Sequence, residues 1–419
     1  MVDTPPLDLE RERTSVLIAS TSAFTALFAV WLMFGILGKP IQKELGLSDS
    51  QFAWLGAIPI LNGCLWRLPF GVLADRWGGR RLFIGLLVIS AIPCALVSFA
   101  HSYVQLLVLG FLLGISGNAF SVGIAWNSAW FPRERQGFAL GTFGAGNVGA
   151  SLTKLIGPTL MAILPAAGLA GGLIPGGWRF IPVLYAVMLV AMAVWLWLGT
   201  PRDVARPAPP PFRVALAPLA ALRVWRFGLY YVVVFGAYVA LSLWLPKYYV
   251  DVYGLSLRDA GLLTCLFVFP ASLLRPVGGW LSDRIGARPV LYGVFGIMIA
   301  ALIPLSLPTS LLSLQVTGFT LLMITVAIGM GVGKAAVFKY IPEYFPHHVG
   351  AVGGLVGMIG GLGGFILPPI FAAVQRLTGS PQSTFLTLLA VVVISLIWLH
   401  TVVAGMKQQL PRNEAIPTT

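Results

Sequence analysis

The chain has 419 residues, of which 58% are hydrophobic and only 10% are charged, and its formal net charge is +13 at pH 7. A soluble protein of this length needs more charge on its surface, so most of the residues must face lipid or one another. The positive charge does not indicate nucleic acid as a partner, because the basic residues lie singly between apolar runs and form no patch.

Twelve apolar stretches are long enough to be membrane spans, since a helix needs about 20 residues to cross a hydrocarbon core of about 30 Å. They cover 15–38, 52–74, 82–100, 104–130, 137–164, 179–200, 227–249, 259–281, 289–307, 313–342, 350–375 and 382–405. The predicted fold class is therefore an all-α integral membrane protein with twelve transmembrane helices. The polar segment before the first span lacks the basic n-region of a signal peptide, so we expect that span to be retained.

A stretch rich in Pro and Arg separates the sixth span from the seventh and is too polar to cross a membrane. It divides the chain into an N-terminal six-helix bundle at 1–200, a linker at 201–226 and a C-terminal six-helix bundle at 227–419. Most of the Lys and Arg residues between spans lie on the side of the two termini and the linker, which predicts that this side is cytoplasmic. We expect a multi-pass protein of the inner (plasma) membrane.

One segment near the end of the second span recurs near the end of the eighth. GVLADRWGGRR at 71–81 returns as GWLSDRIGARP at 279–289, an offset of 208 residues. The pairs that obey this offset include Gly71 with Gly279, Asp75 with Asp283, Arg76 with Arg284 and Arg67 with Arg275. Repeats in this order predict two halves related by an axis along the membrane normal, with a site between them near the midplane.

The G-x3-D-R-x-G pattern after the second and eighth spans resembles the cytoplasmic loop motif of the major facilitator superfamily, and the resemblance covers nearly the whole chain. It implies two pseudo-symmetric six-helix bundles. It also implies that the Asp and Arg of the motif latch the cytoplasmic ends of the helices during gating. The topology rule for basic residues would explain the arginines of this motif, but not its aspartates and glycines.

Four basic residues lie within apolar spans and away from the span ends, namely Arg67, Lys154, Arg275 and Lys334. Arg67 precedes Asp75 by two helical turns, so at 1.5 Å per residue it lies about 12 Å from the end of its span. Arg275 has the same depth by the repeat, Lys334 is also central, and Lys154 is nearer the outer side. A charged side chain at such a depth costs a few kcal/mol even on lenient scales.

The sequence offers no carboxylate partner for these cations, because all fourteen acidic residues map to loops, helix ends or tails. The side chains could snorkel or bond to backbone carbonyls, and for Lys154 this explanation is as good as a functional one. For the arginine pair a bound anion is the simplest compensation. A guanidinium group presents a planar fork that matches a planar oxyanion two oxygens at a time.

The fifth and eleventh spans are rich in glycine, with GTFGAGNVGASLTK at 141–154 and GGLVGMIGGLGGFILPP at 353–369. Glycines four residues apart allow close helix packing, but packing alone does not account for Asn147. These segments resemble the nitrate signature of the nitrate/nitrite porter family, although the eleventh span lacks a matching asparagine. The resemblance implies nitrate held between Arg67 and Arg275, with aromatic rings above and below the planar ion.

Aligning the fourth span by its terminal Phe-Pro places Phe120 in one of the ring positions, and Tyr231 and Phe235 lie four residues apart on the seventh span. A lone aromatic residue in such a span is more often a packing residue. The complete set of expected substrate-binding residues is Arg67, Arg275, Asn147, Phe120, Tyr231, Phe235, Gly144, Gly146, Gly357 and Gly360.

The predicted function is secondary active transport of nitrate by alternating access. We favour proton-coupled uptake, with Lys154 and Lys334 as the groups that take up protons, because buried lysines can change their protonation state. Nitrate/nitrite exchange, transport of another small anion such as formate or an organic or phosphorylated anion, and anion sensing without transport are the alternatives. We expect nitrate or nitrite, protons and the lipid bilayer as partners, a monomer, and neither enzymatic activity, a cofactor nor a bound metal.

Overall fold

The computed structural model describes residues 7–163, 168–169, 176–203, 216–308 and 311–413. Within these ranges the chain is almost entirely helical, as its long apolar stretches predict. The linker predicted at 201–226 lies in part outside the described residues.

The described residues of the first half form six helices, α1 to α6. Their bounds are Leu7–Trp31 continued by Phe34–Leu45 for α1, Asp49–Leu65 with Arg67–Trp77 for α2, Gly79–Val97 for α3, Tyr103–Leu113 with Ala119–Trp130 for α4, Gln136–Gly144 with Gly149–Ile163 for α5, and Phe180–Gly199 for α6. Short 3₁₀ turns, Gly114–Asn118 and Ala145–Val148, join the two segments of α4 and of α5.

The second half contains α7 to α12. Their bounds are Leu222–Tyr231 with Ala237–Tyr253 for α7, Leu257–Leu273 with Arg275–Ile285 for α8, Ala287–Ser306 for α9, Val316–Tyr344 for α10, Val349–Thr378 for α11 and Ser383–Asn413 for α12. A π-helical turn, Val232–Gly236, joins the two segments of α7.

Eleven helices in the described ranges are long and apolar enough to cross a membrane. Helix α5 is not among these eleven; a 3₁₀ turn joins its segments of 9 and 15 residues, and several of its side chains between 152 and 162 lie outside the described residues. The predicted fold class of twelve membrane helices in an all-α protein is confirmed, and the span predicted at 137–164 is helical with a 3₁₀ turn inside it. Glycine has the poorest helix propensity after proline, so the glycines around this turn weaken the helix there, although the glycine-rich α11 is continuous.

Two helices, α2 and α8, are interrupted by a single residue directly before an arginine. The interrupting residues have nearly the same backbone torsions, φ −85° and ψ −1° at Trp66 and φ −83° and ψ 1° at Leu274. A proline, Pro69 or Pro276, lies in the first turn after each break, where its missing N–H is tolerated. The internal repeat therefore reproduces the helix break as well as the arginine that follows it.

Glu44, at the end of α1, joins three elements of the first half. Its carboxylate accepts a hydrogen bond from Trp178 Nε1 and forms an ion pair with Arg179, both at 2.6 Å. Arg179 also donates to the carbonyls of Ser98 and Ala100, which follow α3. Partial burial by itself would raise the pKa of Glu44, but the hydrogen bonds from Arg179 and Trp178 outweigh it and lower the pKa below its ordinary value of 4.5.

Glu44→Gln is expected to lower the free energy of unfolding at neutral pH by about 1 kcal/mol or less, and the melting temperature with it. The effect is small because the ion pair is partly exposed and screened. A carboxylate with a lowered pKa contributes its full stabilisation above 4.5 and loses it as the pH falls below that value. The difference in melting temperature between wild type and variant should therefore be smaller at about pH 4 than at neutral pH. Thermal unfolding in detergent, followed by intrinsic fluorescence at both pH values, tests this, and an equal difference at both would contradict it.

Candidate functional site

The structure brings the two repeat-related arginines together. Arg67 and Arg275 begin the second segments of α2 and α8, and both are buried, with 1% and 0% of their surface exposed. The ring centroid of Phe120 on α4 lies 5.3 Å from the Cζ atom of each arginine. Both guanidinium groups therefore meet at one aromatic ring between the two halves.

Arg67 is held by backbone carbonyls and aromatic rings. Its Nε donates to the carbonyl of Gly63, one turn earlier in α2, and its Nη1 donates to the carbonyl of Gly357 in α11, both at 2.9 Å. The ring centroids of Trp31 and Phe235 lie 5.2 Å and 5.5 Å from its Cζ. Trp31 is a site residue that sequence reasoning missed, because nothing in the sequence sets one tryptophan in an apolar span apart from the others.

Arg275 lies in a different environment. Its three guanidinium nitrogens are buried, and none has a hydrogen-bond acceptor among the described residues. The backbone of α5 lies directly against this group, since a Cβ atom placed on Gly144 would be 2.3 Å from Cζ of Arg275. A buried cation with unused donors is costly unless another group accepts from it.

Two neighbouring polar side chains are also buried without a hydrogen-bond partner in the described part of the chain, the amide of Asn147 and the hydroxyl of Tyr231. Asn147 lies in the 3₁₀ turn of α5, where side chains three residues apart are aligned, so it shares a face with Gly144. The Tyr231 hydroxyl lies near Arg275. The guanidinium, amide and hydroxyl groups together offer N–H and O–H donors to an acceptor-rich ligand.

Three predicted aromatic residues lie nearly parallel. The ring of Phe120 makes angles of 13° with Tyr231 and 5° with Phe235, at centroid distances of 6.1 Å and 6.4 Å. A flat ion in van der Waals contact with a ring on each side needs about 7 Å between the rings. Phe120 and the two rings of α7 are therefore slightly too close in this structure to enclose such an ion, and an opening of about 1 Å would be needed.

The predicted glycines do not all lie at the arginine pair. Gly357 lies against Arg67, and a Cβ atom on Gly360 would be 2.2 Å from the ring of Tyr231. In contrast, the nearest neighbours of Gly146 all belong to α1, where its Cβ atom would meet Phe24 at 2.6 Å. Gly146 therefore lies at the packing of α5 against α1. The roles of these residues in binding stay predictions.

Of the two lysines predicted to couple transport, Lys334 on α10 is buried next to this site. Its Nζ donates to the carbonyl of Ala271 in α8 at 2.9 Å and lies 3.2 Å from the ring centroid of Tyr238. The ring of Phe235 is 5.8 Å away. Lys154 belongs to α5, but its side chain lies outside the described residues.

Lys339 on α10 is a further buried basic residue, and it was not recognised in the sequence. Its Nζ forms an ion pair with Asp283 at 2.7 Å, lies 3.9 Å from Glu343 and donates to the carbonyl of Arg133. The carboxylates of Asp283 and Glu343 are thus paired with Lys339. None of the ion pairs found among the described residues involves Arg67 or Arg275.

The two predicted gating aspartates each cap a helix of the opposite half, at the end of the bundle that we call the latch end. Asp75 accepts hydrogen bonds from the first turn of α11, and Asp283 accepts them from the first turn of α5. The distances are 3.0 Å from both Gly350 N and Ala351 N to Asp75, and 2.9 Å and 2.7 Å from Gly137 N and Phe138 N to Asp283. Backbone N–H groups at a helix N-terminus have no partner within the helix and favour negative charge, so these contacts hold the halves together.

The backbones of the two halves approach very closely at the latch end. A Cβ atom on Gly71 would lie 2.0 Å from the carbonyl oxygen of Gly350, and a Cβ atom on Gly279 would lie 1.9 Å from that of Gly137. Real Cβ atoms essentially never approach within 3.0 Å, so only glycine fits at these positions. This requirement accounts for the repeated glycine of the motif.

The arginines of the motif have different surroundings from its aspartates. Cζ of Arg284 lies 4.3 Å from the ring centroid of Trp280 on its own helix, α8. Arg76 is half-buried at the end of α2. A role of either arginine in gating stays a prediction.

A family model described as "Major Facilitator Superfamily" matches residues 19–368 and 257–417. A protein of Thermus thermophilus named "Probable nitrate/nitrite antiporter NarK1" is 60% identical over 96% of this chain and 95% of its own length. The "Nitrite extrusion protein" of Bacillus subtilis (strain 168) is 32% identical over 94% of this chain and 95% of its own length.

Among solved structures, the human organic anion transporter MFSD10 (TETRAN) is similar with a TM-score of 0.71. The match covers 94% of this chain and 100% of that one at 17% sequence identity. At this identity the likeness concerns the arrangement of the helices, and it supports the two-bundle fold.

Proposed function

Because the chain belongs to the major facilitator superfamily, and within it to the family of nitrate/nitrite porters, we propose that it carries nitrate across the membrane by alternating access. The family consists of transporters and not of enzymes, in line with the sequence-based expectation. We further propose that the protein works as a monomer in the inner (plasma) membrane with both termini in the cytoplasm. The excess of basic residues on that side supports this orientation.

The observation that carries this proposal is the environment of Arg275. It is a fully buried guanidinium group with three unused nitrogens, and Asn147 and Tyr231 add further unpartnered polar atoms nearby. Because a buried cation needs compensation and the ion pairs of the described residues supply no carboxylate here, an anion is the ligand that fits best. The names of the similar proteins, which mention nitrate and nitrite, support the choice of anion.

The shape of the site favours a small planar anion over a tetrahedral one. Guanidinium forks are flat and bind two oxygens side by side, as the oxygens of nitrate are arranged. The nearly parallel rings of Phe120 and Phe235 leave room for a flat ion after a small opening. Phosphate and sulfate need more height and more donors than this arrangement provides. Nitrite and formate share the planar shape and are the nearest competitors.

Transport would follow from rocking of the bundles at 1–200 and 227–419 about this site. The latch end is closed in this structure, with Asp75 and Asp283 bound to helices of the opposite half. The hydrogen bond from Arg67 to the carbonyl of Gly357 also joins the two halves beside the site. An anion that accepts from Arg67 would compete with this bond, so binding and the separation of the halves would be linked.

We propose proton-coupled uptake as the mode of transport, with nitrate/nitrite exchange as the second candidate. Lys334 supports the first mode, because it is a buried group that can gain or lose a proton next to the arginines. The exchange mode is favoured by the name of the similar Thermus thermophilus protein, which is called an antiporter.

Nitrate uptake into proteoliposomes under an inward proton gradient separates the two modes. With proton coupling, nitrate enters vesicles that contain no anion substrate, and Lys334→Gln or Lys154→Gln reduces the pH-driven part. The physical reason is that glutamine cannot take up a proton in this pH range. Uptake that requires internal nitrite and does not depend on the proton gradient would establish exchange instead.

Two controls complete this experiment. Full pH-driven uptake by both lysine variants would remove the lysines from the coupling mechanism without affecting the assignment of the substrate. Competition of labelled nitrate with formate and with phosphate tests the substrate itself. Stronger inhibition by either of these anions than by unlabelled nitrate would identify a carrier for a different anion. Binding of nitrate without any uptake would indicate a sensor.

A further inference from the structure

Equivalent backbone carbonyls in the two halves have different hydrogen-bond donors. Gly63 and Ala271 obey the repeat offset of 208 residues, and each lies one helical turn before its arginine. The carbonyl of Gly63 accepts from Nε of Arg67, which belongs to the same helix. The carbonyl of Ala271 accepts from Nζ of Lys334, which belongs to the neighbouring helix α10. Both distances are 2.9 Å.

The backbone of α8 would allow Arg275 to make the bond that Arg67 makes. The residues at the two helix breaks, Trp66 and Leu274, have torsions that agree within 2°. A carbonyl can accept two hydrogen bonds, but a second donor at Ala271 would bring two cations close together in a buried place. Occupation of this carbonyl by Lys334 therefore accounts for the unpaired Nε of Arg275, the atom that corresponds to the bonded Nε of Arg67.

The repeat also shows that Lys334 is a difference between the halves. Phe131 and Phe345 mark the ends of α4 and α10 with an offset of 214 residues, and the same offset relates Phe120 to Lys334. At this position the first half has an aromatic ring beside Arg67, and the second half has a lysine. The two arginines are related by the repeat, but only Arg275 has a lysine that takes its backbone acceptor.

We propose that Lys334 is a positioning residue for Arg275. By donating to the carbonyl of Ala271, it prevents Arg275 from folding back onto its own helix and keeps all three guanidinium nitrogens available to the anion. Arg67 is bound to two carbonyls and holds the other side of the site. This inference rests on the proposed binding of nitrate at Arg275, and it holds for proton-coupled uptake and for exchange alike.

The test compares nitrate binding and structure in variants of the full chain. Lys334→Met has a similar length but no donor, whereas Lys334→Gln keeps an uncharged donor. The dissociation constant for nitrate is measured by calorimetry on the purified protein. Lys334→Met is expected to bind nitrate at least about 10-fold more weakly, and Lys334→Gln is expected to bind more tightly than Lys334→Met. Thr264→Val, a change of a buried polar residue on α8, serves as the matched control and should bind like the wild type.

A crystal structure of Lys334→Met without nitrate provides a second readout that a loss of charge alone would not change. The expected result is that Nε of Arg275 donates to the carbonyl of Ala271, as Nε of Arg67 does to that of Gly63. If the Met variant does not fold, Lys334→Gln and Lys334→Ala give the same comparison, with alanine expected to be the weaker binder.

Three results would overturn the proposal. These are wild-type affinity in Lys334→Met, equal losses in the Met and Gln variants, or an unmoved Arg275 in the variant structure. Failure of the proposed function would look different, since Arg275→Lys would then bind nitrate with unchanged affinity. That outcome would remove nitrate from Arg275 and the present inference with it.

Discussion

Arg275→Lys is expected to abolish nitrate uptake into proteoliposomes and to weaken nitrate binding at least about 100-fold. Lysine keeps the positive charge, but it has a single nitrogen and cannot offer two parallel N–H groups to two oxygens. The three nitrogens of Arg275 that lack an acceptor are the donors that would be lost. Radiolabelled uptake and calorimetric titration measure the two effects separately.

Arg67→Lys should abolish uptake as well. The loss of two parallel N–H groups applies here too, and a second reason is added to it. The change removes the hydrogen bond from Nη1 to the carbonyl of Gly357, which joins the two halves beside the site. Arg376→Lys at the exposed end of α11 is the matched control and is expected to transport normally. Thermal unfolding confirms that each variant is folded. Retained uptake with unchanged affinity in either site variant would refute the assignment of the site.

Gly279→Ala is expected to reduce transport about 5-fold to 150-fold by preventing closure of the latch end. The added methyl group would lie 1.9 Å from the carbonyl oxygen of Gly137, so the halves would have to separate by about 1 Å or more. Nitrate binding should be affected less than turnover, because the arginine pair is not touched. Uptake rates together with the distance between the halves at this end measure the effect.

Spin labels at Trp77 and Ile285 report that distance, since both side chains are exposed at the ends of α2 and α8. The three native cysteines are buried and should not react with the label. Gly293→Ala on α9 is the matched control, because a Cβ atom there meets nothing within 4 Å. Wild-type uptake and an unchanged distance distribution in Gly279→Ala would show that close contact of these glycines is not required.

Several features of the fold and site could be predicted from sequence because they depend on local periodicity or on repetition. Apolar length determines the membrane helices, and the structure agrees for eleven of them within the described ranges. The offset of 208 residues pairs Arg67 with Arg275 without any knowledge of the fold. The absence of acidic residues from the spans predicts uncompensated charge at their centre. These are properties of composition and spacing, which a sequence displays directly.

Other features depend on which groups meet across helices, and sequence spacing carries no such information. Lys339 looks like any basic residue near a helix end, yet it is buried against Asp283. Trp31 lies beside Arg67 only because α1 packs against α2. The division of α5 at Ala145–Val148, which aligns Asn147 with Gly144, depends on a balance between helix propensity and packing that a glycine count does not resolve.

By itself, then, the sequence determined the twelve-helix, two-bundle architecture, the family and the pair of buried arginines, because periodicity, composition and an internal repeat encode them. The tertiary structure decided that these arginines are not equivalent. Arg67 and Lys334 take the matching carbonyls of Gly63 and Ala271, and Arg275 is left with unused donors. The physical reason is that a repeat determines the positions of two matching residues in their own helices. The hydrogen-bond partners available to each residue are set by neighbouring helices, which the repeat does not copy.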